Sequence, residues 1–152
     1  MRNGVTVISR DLPKSWSPAT PFIHAGADGQ PFIQGWRCVN CRAPYLCERI
    51  ACARCCSTDG FVSFVAATAG TVHTYTVVHR SYPNVAVPFV SAVVDLDDGL
   101  TLKGNLCDIP MSPETRIAGS RVRLFFAAAH GAKTPDGTAY LAYFFSPCEL
   151  SP

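Results

Sequence analysis

Lysine is scarce in this chain: there are three lysines against ten arginines, in 152 residues with a formal charge of only +2. Binding to a phosphate backbone shows as a strong basic excess on one face, and nothing of that size is present. No apolar run approaches the ~20 residues that span a bilayer, and Met1 to Trp16 lacks the apolar centre of a secretory leader. The expectation is a cytoplasmic protein with no membrane association. Internal repeats and low-complexity tracts are missing too. None of Ser63, Ser81 and Ser91 has a G-x-S-x-G setting, and no glycine-rich phosphate loop opens a helix. A chain this short accommodates one compact domain, or a core domain with a small module, and excludes a two-lobed enzyme with its own cofactor domain.

Cysteine is what the sequence has in plenty. Six of its eight cysteines fall between Cys38 and Cys56. In a reducing compartment disulfides are rare, and clustered cysteines hold metal. The spacing is Cys38-Val-Asn-Cys41, ten residues, then Cys52-Ala-Arg-Cys55. Two C-x-x-C pairs present four thiolates from two turns, the number that tetrahedral Zn²⁺ takes at about 2.3 Å. One structural zinc per chain is expected on Cys38, Cys41, Cys52 and Cys55, with no open position for substrate. A rubredoxin-type iron uses similar ligands and competes on chemistry alone, and Cys47 or Cys56 is an alternative ligand. A thioredoxin-like dithiol is excluded by the lack of a βαβ unit. Cys107 and Cys148 stand alone and read as small core residues.

Beyond Gly60 the pattern changes to β-branched and aromatic runs. Strands are expected at Phe61–Ala67, Thr71–His79, Phe89–Asp95, Leu100–Leu106, Arg121–Ala127 and Ala139–Phe145. Turns are expected at Gly70, Asp98–Gly99 and Asp136–Gly137. Such short strands, interrupted at Ile109–Gly119 where Met111–Glu114 could start a helical turn, describe a small closed barrel of the OB type. The lead-in is punctuated by Pro13, Pro18 and Pro21 and reads as extended, with a short helix possible over Thr20–Ala27. The resulting expectation is mainly β: an N-terminal segment (1–30), a metal ribbon (31–59), a barrel (60–147) and a tail (148–152).

These residues together resemble a known family. The C-x-x-C-x10-C-x-x-C ribbon runs into Gly70-Thr-Val-His-Thr-Tyr-Thr-Val-Val-His79-Arg80. Val87-Pro88-Phe89-Val90-Ser91-Ala92-Val93-Val94-Asp95-Leu96-Asp97-Asp98-Gly99 and Ile117-Ala118-Gly119-Ser120-Arg121-Val122 follow. Over about residues 21–147 this is similar to the thiolase-associated zinc-ribbon/OB-fold proteins, long catalogued as a domain of unknown function. The resemblance implies a rubredoxin-like zinc ribbon followed by an OB-fold. It also implies an accessory role beside a thiolase-like catalytic subunit in a complex that cleaves or forms 3-oxoacyl-CoA thioesters, or acts as an acyltransferase or aldolase. A 2:2 heterotetramer is the natural stoichiometry, because thiolases usually dimerise, and a coenzyme A thioester would bind at or near the interface. Arg42 and Cys56 stand where the family often has glycines in the metal-binding turns, and Cys47-Glu48 replaces a common Pro-Pro.

No residue of this chain announces catalysis. Thiolase chemistry needs a nucleophilic cysteine, a histidine and an oxyanion hole. His24, His73, His79 and His130 sit in no such setting. His73 and His79, six apart on an expected strand, share a face that Tyr75 and Val77 continue, and His130 is expected in a loop. Asp95, Asp97 and Asp98 read as a strand-end turn. Arg37, Arg42, Arg49 and Arg54 surround the cysteines and balance the negative site. Among them Arg49 and Arg54, with Arg80 in Arg80-Ser81-Tyr82-Pro83, are candidates for the phosphates of coenzyme A or an acidic partner. The alternative reading is a single-stranded nucleic-acid binder, since ribbons and OB-folds both serve that purpose, but low charge and few lysines count against it.

Overall fold

From Phe89 to Leu96 every second residue is apolar, and Val90, Ala92, Val94 and Leu96 are all buried. A strand with that period turns one face to a core. The computed structural model describes residues 9–83, 85–110 and 115–148. Its strands in chain order are β1 (Trp16–Pro18), β2 (Ile23–Ala25), β3 (Pro31–Cys38), β4 (Pro44–Tyr45) and β5 (Phe61–Val65). They continue as β6 (Ala69–Val78), β7 (Phe89–Leu96), β8 (Thr101–Leu106), β9 (Arg121–Lys133) and β10 (Ala139–Pro147).

The last five strands close on themselves. β6, β7 and β8 form an antiparallel meander, and β9 pairs antiparallel with both β6 and β10. β10 then joins β8 in parallel through Phe144–Asn105 and Phe145–Leu106. The circuit β6-β7-β8-β10-β9 is an OB-fold barrel. Val72, Leu102, Val122, Leu141 and Phe145 fill its interior, each at most 1% exposed. Asp98–Gly99 and Asp136–Gly137 make the expected turns, with Gly99 N–H on Leu96 O and Gly137 N–H on Thr134 O.

The other strands build a smaller sheet around β3. Its first half pairs with β2 and its second half with β4 and β5. The strand at Phe61, expected to open the barrel, is therefore part of this sheet. Ile23, Ile33 and Ala66 nevertheless belong to the same apolar cluster as the barrel residues. A Cβ on Gly35 would lie 2.7 Å from Leu100 Cδ1 and from the Phe64 ring; the missing side chain lets β3 lie against the β7–β8 turn. Arg37 stacks over Phe64 at 4.2 Å and donates to Asp98 O at 3.0 Å. The Asp98 carboxylate accepts the N–H groups of Ala67 (2.5 Å) and Leu100 (3.0 Å). One residue thus ties the ribbon sheet, the connecting segment and the barrel turn together.

Several expectations need correction. No helix forms over Thr20–Ala27. The eight residues Thr20–Ala27 are too few to offset nucleation, and Ile23 instead pairs with Ile33 across a hairpin closed by Gly26 N–H to Gln30 O at 2.8 Å. Gly70 is not a turn but lies inside β6, where an added Cβ would stand 2.5 Å from Asp95 O. His130 falls within β9, not in a loop. The helical turn over Met111–Glu114 and the first eight residues lie outside the described residues. The lead-in from residue 9 is held against β10 by parallel β1 pairing and by Arg10, which bonds Asp108 at 2.9 Å and covers the Phe125 ring.

Candidate metal centre

Each C-x-x-C pair is a turn closed by the same two backbone bonds. In the first, Arg42 N–H donates to Cys38 O at 3.0 Å and Cys38 N–H to Ala43 O at 3.1 Å. In the second, Cys56 N–H donates to Cys52 O at 2.8 Å and Cys52 N–H to Ser57 O at 2.9 Å. The residue that follows each pair is left-handed: φ is 61° at Arg42 and 59° at Cys56. Glycine takes that conformation freely, and a Cβ makes it costly. The resemblance put glycines at these two positions, and the backbone retains their geometry without them.

The turns face each other and bring four sulfurs together. Cys38 and Cys55 Sγ are 3.7 Å apart, Cys41 and Cys52 Sγ 3.5 Å, and the four ligand atoms lie within 4.8 Å of one another. Four sulfurs at about 2.3 Å from a tetrahedral ion stand roughly 3.8 Å apart. The donor set and its spacing therefore fit a tetrahedral ion such as zinc, and the cluster is consistent with a zinc ribbon. Among the described residues this is the group of metal-ligating side chains close enough to hold an ion. Cys38 and Cys52 are buried, and Ala43, Tyr45 and Phe61 complete a small apolar shell around the site.

Cys52 is the most heavily hydrogen-bonded of the four. The Tyr45 hydroxyl lies 3.2 Å from its sulfur, and Arg54 N–H donates to it at 3.4 Å. The Tyr45 contact, aided by the Arg54 and Cys55 amides, brings the Cys52 thiol down to about 6 against the opposing effect of burial. At Cys55 the Ser57 amide pulls downward, but burial and the three neighbouring thiols outweigh it and push the group up to about 12. Cys52 and Cys55 are thus driven in opposite directions by their surroundings. Tyr45 is pushed upward mainly by the same contact. The only mark of this tyrosine in the sequence is its place between the two C-x-x-C turns.

The remaining cysteines are elsewhere. Cys47 and Cys56 are exposed and outside the cluster, and Cys107 is buried, where loss of solvation pushes its thiol up to about 12. Cys148 is exposed rather than a core residue, because it sits just past the end of β10. Of the four arginines around the cysteines, Arg37 is spent on Phe64 and Asp98, as described. Arg49 lies over the Tyr45 ring at 4.6 Å, while Arg42, Arg54 and Arg80 are exposed. A cleft of about 480 Å³ is lined instead by Ile109, Arg116, Ile117, Arg121 and Cys148 among others.

The histidine face does not form. Val72 pairs with Val94 but Thr74 pairs with Val93, so His73 is the extra residue of a bulge that reverses the alternation along β6. His73 points to solvent and meets Asp95 at 3.0 Å, whereas Tyr75 packs against the core. The acidic trio is explained by its strand ends. Asp95 also accepts from Thr101, Asp97 receives Arg121 at 2.6 and 2.8 Å, and Asp98 holds the turn.

Comparison with known proteins agrees with this geometry. Residues 65–127 match the family model described as the C-terminal OB-fold domain of ChsH2. A DUF35 domain-containing scaffold protein of Methanocaldococcus jannaschii is 30% identical over 118 residues, which is 76% of this chain and 81% of that protein. Among solved structures, the Ltp2–ChsH2(DUF35) aldolase matches with a TM-score of 0.60 and 27% identity, covering 78% of this chain and 86% of that one. No helix among the described residues is long and apolar enough to cross a membrane. With barrel circuit, cysteine cluster and sequence in agreement, the chain belongs to the DUF35 family of OB-fold proteins.

Proposed function

We propose that this chain is a non-catalytic accessory subunit that docks on a thiolase-like catalytic partner acting on coenzyme A thioesters, and that Cys38, Cys41, Cys52 and Cys55 hold a structural zinc. The observation that carries the reading is the likeness, over most of both chains, to the DUF35 component named in the Ltp2–ChsH2(DUF35) aldolase. The scaffold description of the archaeal relative points the same way. Zinc held by four thiolates is closed to water and substrate, so what it supplies is shape, not Lewis-acid chemistry. Among the described residues His73 is paired with Asp95, Arg121 with Asp97, and the Cys107 thiol lies in the interior. A thiolytic nucleophile is a partly exposed thiol lowered by a histidine, the opposite of Cys107. Arg54 and Arg80, both exposed, are the side chains offered to the phosphates of the thioester where the two subunits meet.

Co-expression with a thiolase-like subunit tests the reading. The expected result is a stable 2:2 complex that turns over an acyl-CoA by thiolysis, condensation or retro-aldol cleavage, with about one zinc per chain. A chain that purifies alone, ignores the partner and shifts single-stranded oligonucleotides at moderate salt is a nucleic-acid binder instead. A red chromophore with one iron per chain would replace zinc by iron while leaving the scaffold role intact.

A further inference from the structure

We propose that Tyr45 and Arg49 form a two-step outer shell for the metal centre: the phenol donates to the Cys52 sulfur, and the guanidinium over its ring strengthens that donation. The inference rests on the four-cysteine metal reading above and assigns a task to the loop between the two C-x-x-C pairs. A metal-bound Cys52 sulfur carries no proton, so of the two atoms 3.2 Å apart the phenol must be the donor. The ring is held for that purpose. Tyr45 lies on β4, directly opposite Trp36 of β3, and meets the Phe61 ring edge-on at 5.7 Å and 82°. The Phe61 ring braces it, and the hydroxyl faces the cluster.

Arg49 supplies the second step. Its guanidinium carbon stands 4.6 Å from the centroid of the Tyr45 ring. A cation over a phenol ring is attracted to its electron density and draws on it, which makes the O–H a better donor. It also places a positive charge near a centre that carries a net charge of about −2 when four thiolates hold a divalent ion. Arg54 N–H donates to the same sulfur, so Cys52 is the ligand on which this shell converges. Outer-shell partners of this kind stabilise the metal-binding form of a ligand, and their loss typically costs 10–100-fold in affinity.

The test is zinc release from the full chain to an excess of a chromogenic chelator, with the cobalt-substituted protein read by its sulfur-to-metal absorption. Tyr45→Phe keeps the ring and removes only the hydroxyl. It is expected to release zinc about ten-fold faster and to shift the cobalt band. Arg49→Gln is expected to be about two- to five-fold faster, Arg49→Lys closer to wild type, and the Arg49→Gln effect smaller in the Tyr45→Phe background. An unchanged release rate in metal-replete Tyr45→Phe overturns the proposal while leaving the metal reading standing. So does an Arg49→Gln effect of equal size with and without the phenol. A wild-type chain that takes up neither zinc nor iron overturns both.

Discussion

Replacing Asp98 by alanine should loosen the ribbon from the barrel, and the size of the effect follows from what its carboxylate holds. Oδ2 accepts Ala67 N–H at 2.5 Å and Oδ1 accepts Leu100 N–H at 3.0 Å. Hydrogen bonds to a charged group contribute about 1.5–3 kcal/mol each, but Asp98 is only half-buried and water re-enters part of the space. The expected loss for Asp98→Ala is therefore about 2–4 kcal/mol. At about 2–4 °C per kcal/mol for a chain of this size, Tm should fall by about 5–15 °C. Asp98→Asn keeps one acceptor oxygen and should lose about half as much. Urea titration of the metal-replete protein, followed by far-ultraviolet circular dichroism and by the emission of Trp16 and Trp36, measures both. If Asp98→Ala stays within about 0.5 kcal/mol of wild type, the carboxylate is not the latch described, and the reasoning fails.

Cys38→Ser and Cys52→Ser should lose the metal by elemental analysis, while Cys47→Ser and Cys56→Gly should keep one ion per chain. Cys56→Gly relieves a left-handed residue but frees the unfolded chain, two effects of about 1 kcal/mol that oppose each other, so its stability should lie within about 1 kcal/mol of wild type. Gly70→Ala would place a Cβ 2.5 Å from the Asp95 carbonyl oxygen; since backbone must move, a loss of about 1–3 kcal/mol is expected by thermal melting. The Arg121 guanidinium holds Asp97 below the ordinary carboxylate value. That stabilisation is present above the unfolded carboxylate pKa and disappears as pH falls through the folded one. Asp97→Asn should therefore be less stable than wild type near neutrality and converge with it in acid, and a constant gap down to the lowest pH that both survive would refute the pairing.

What the sequence disclosed and what it hid divide along physical lines. The clustering of the four cysteines was legible because metal chemistry constrains spacing locally: two turns, two sulfurs each. The barrel strands were legible because alternation, as in Val90–Leu96, is itself a local property. Partners are not local. Phe61–Val65 reads equally well as a barrel strand or a ribbon strand, and only its pairing with Gln34–Cys38 decides. Gly70 has the composition of a turn, but its use is the close approach of β7. The bulge at His73 broke a parity argument that assumed a regular strand. Tyr45 and Asp98 act through atoms distant in sequence, and nothing beside either residue announces that.

β3 is anchored differently along its length. Its first half, at Ile33, is rooted in the apolar cluster shared with the barrel, while its last residue, Cys38, belongs to the four-cysteine cluster proposed to hold the ion. Withdrawing the ion should therefore not unfold the strand as a unit. Amide exchange would show a gradient, with the Ile33 and Gly35 amides opening only with the whole protein and those of Arg37 and Cys38 exchanging early. The ribbon's outer end would then be a separately melting segment on a permanent stem, able to lose and regain its shape while the barrel stays folded.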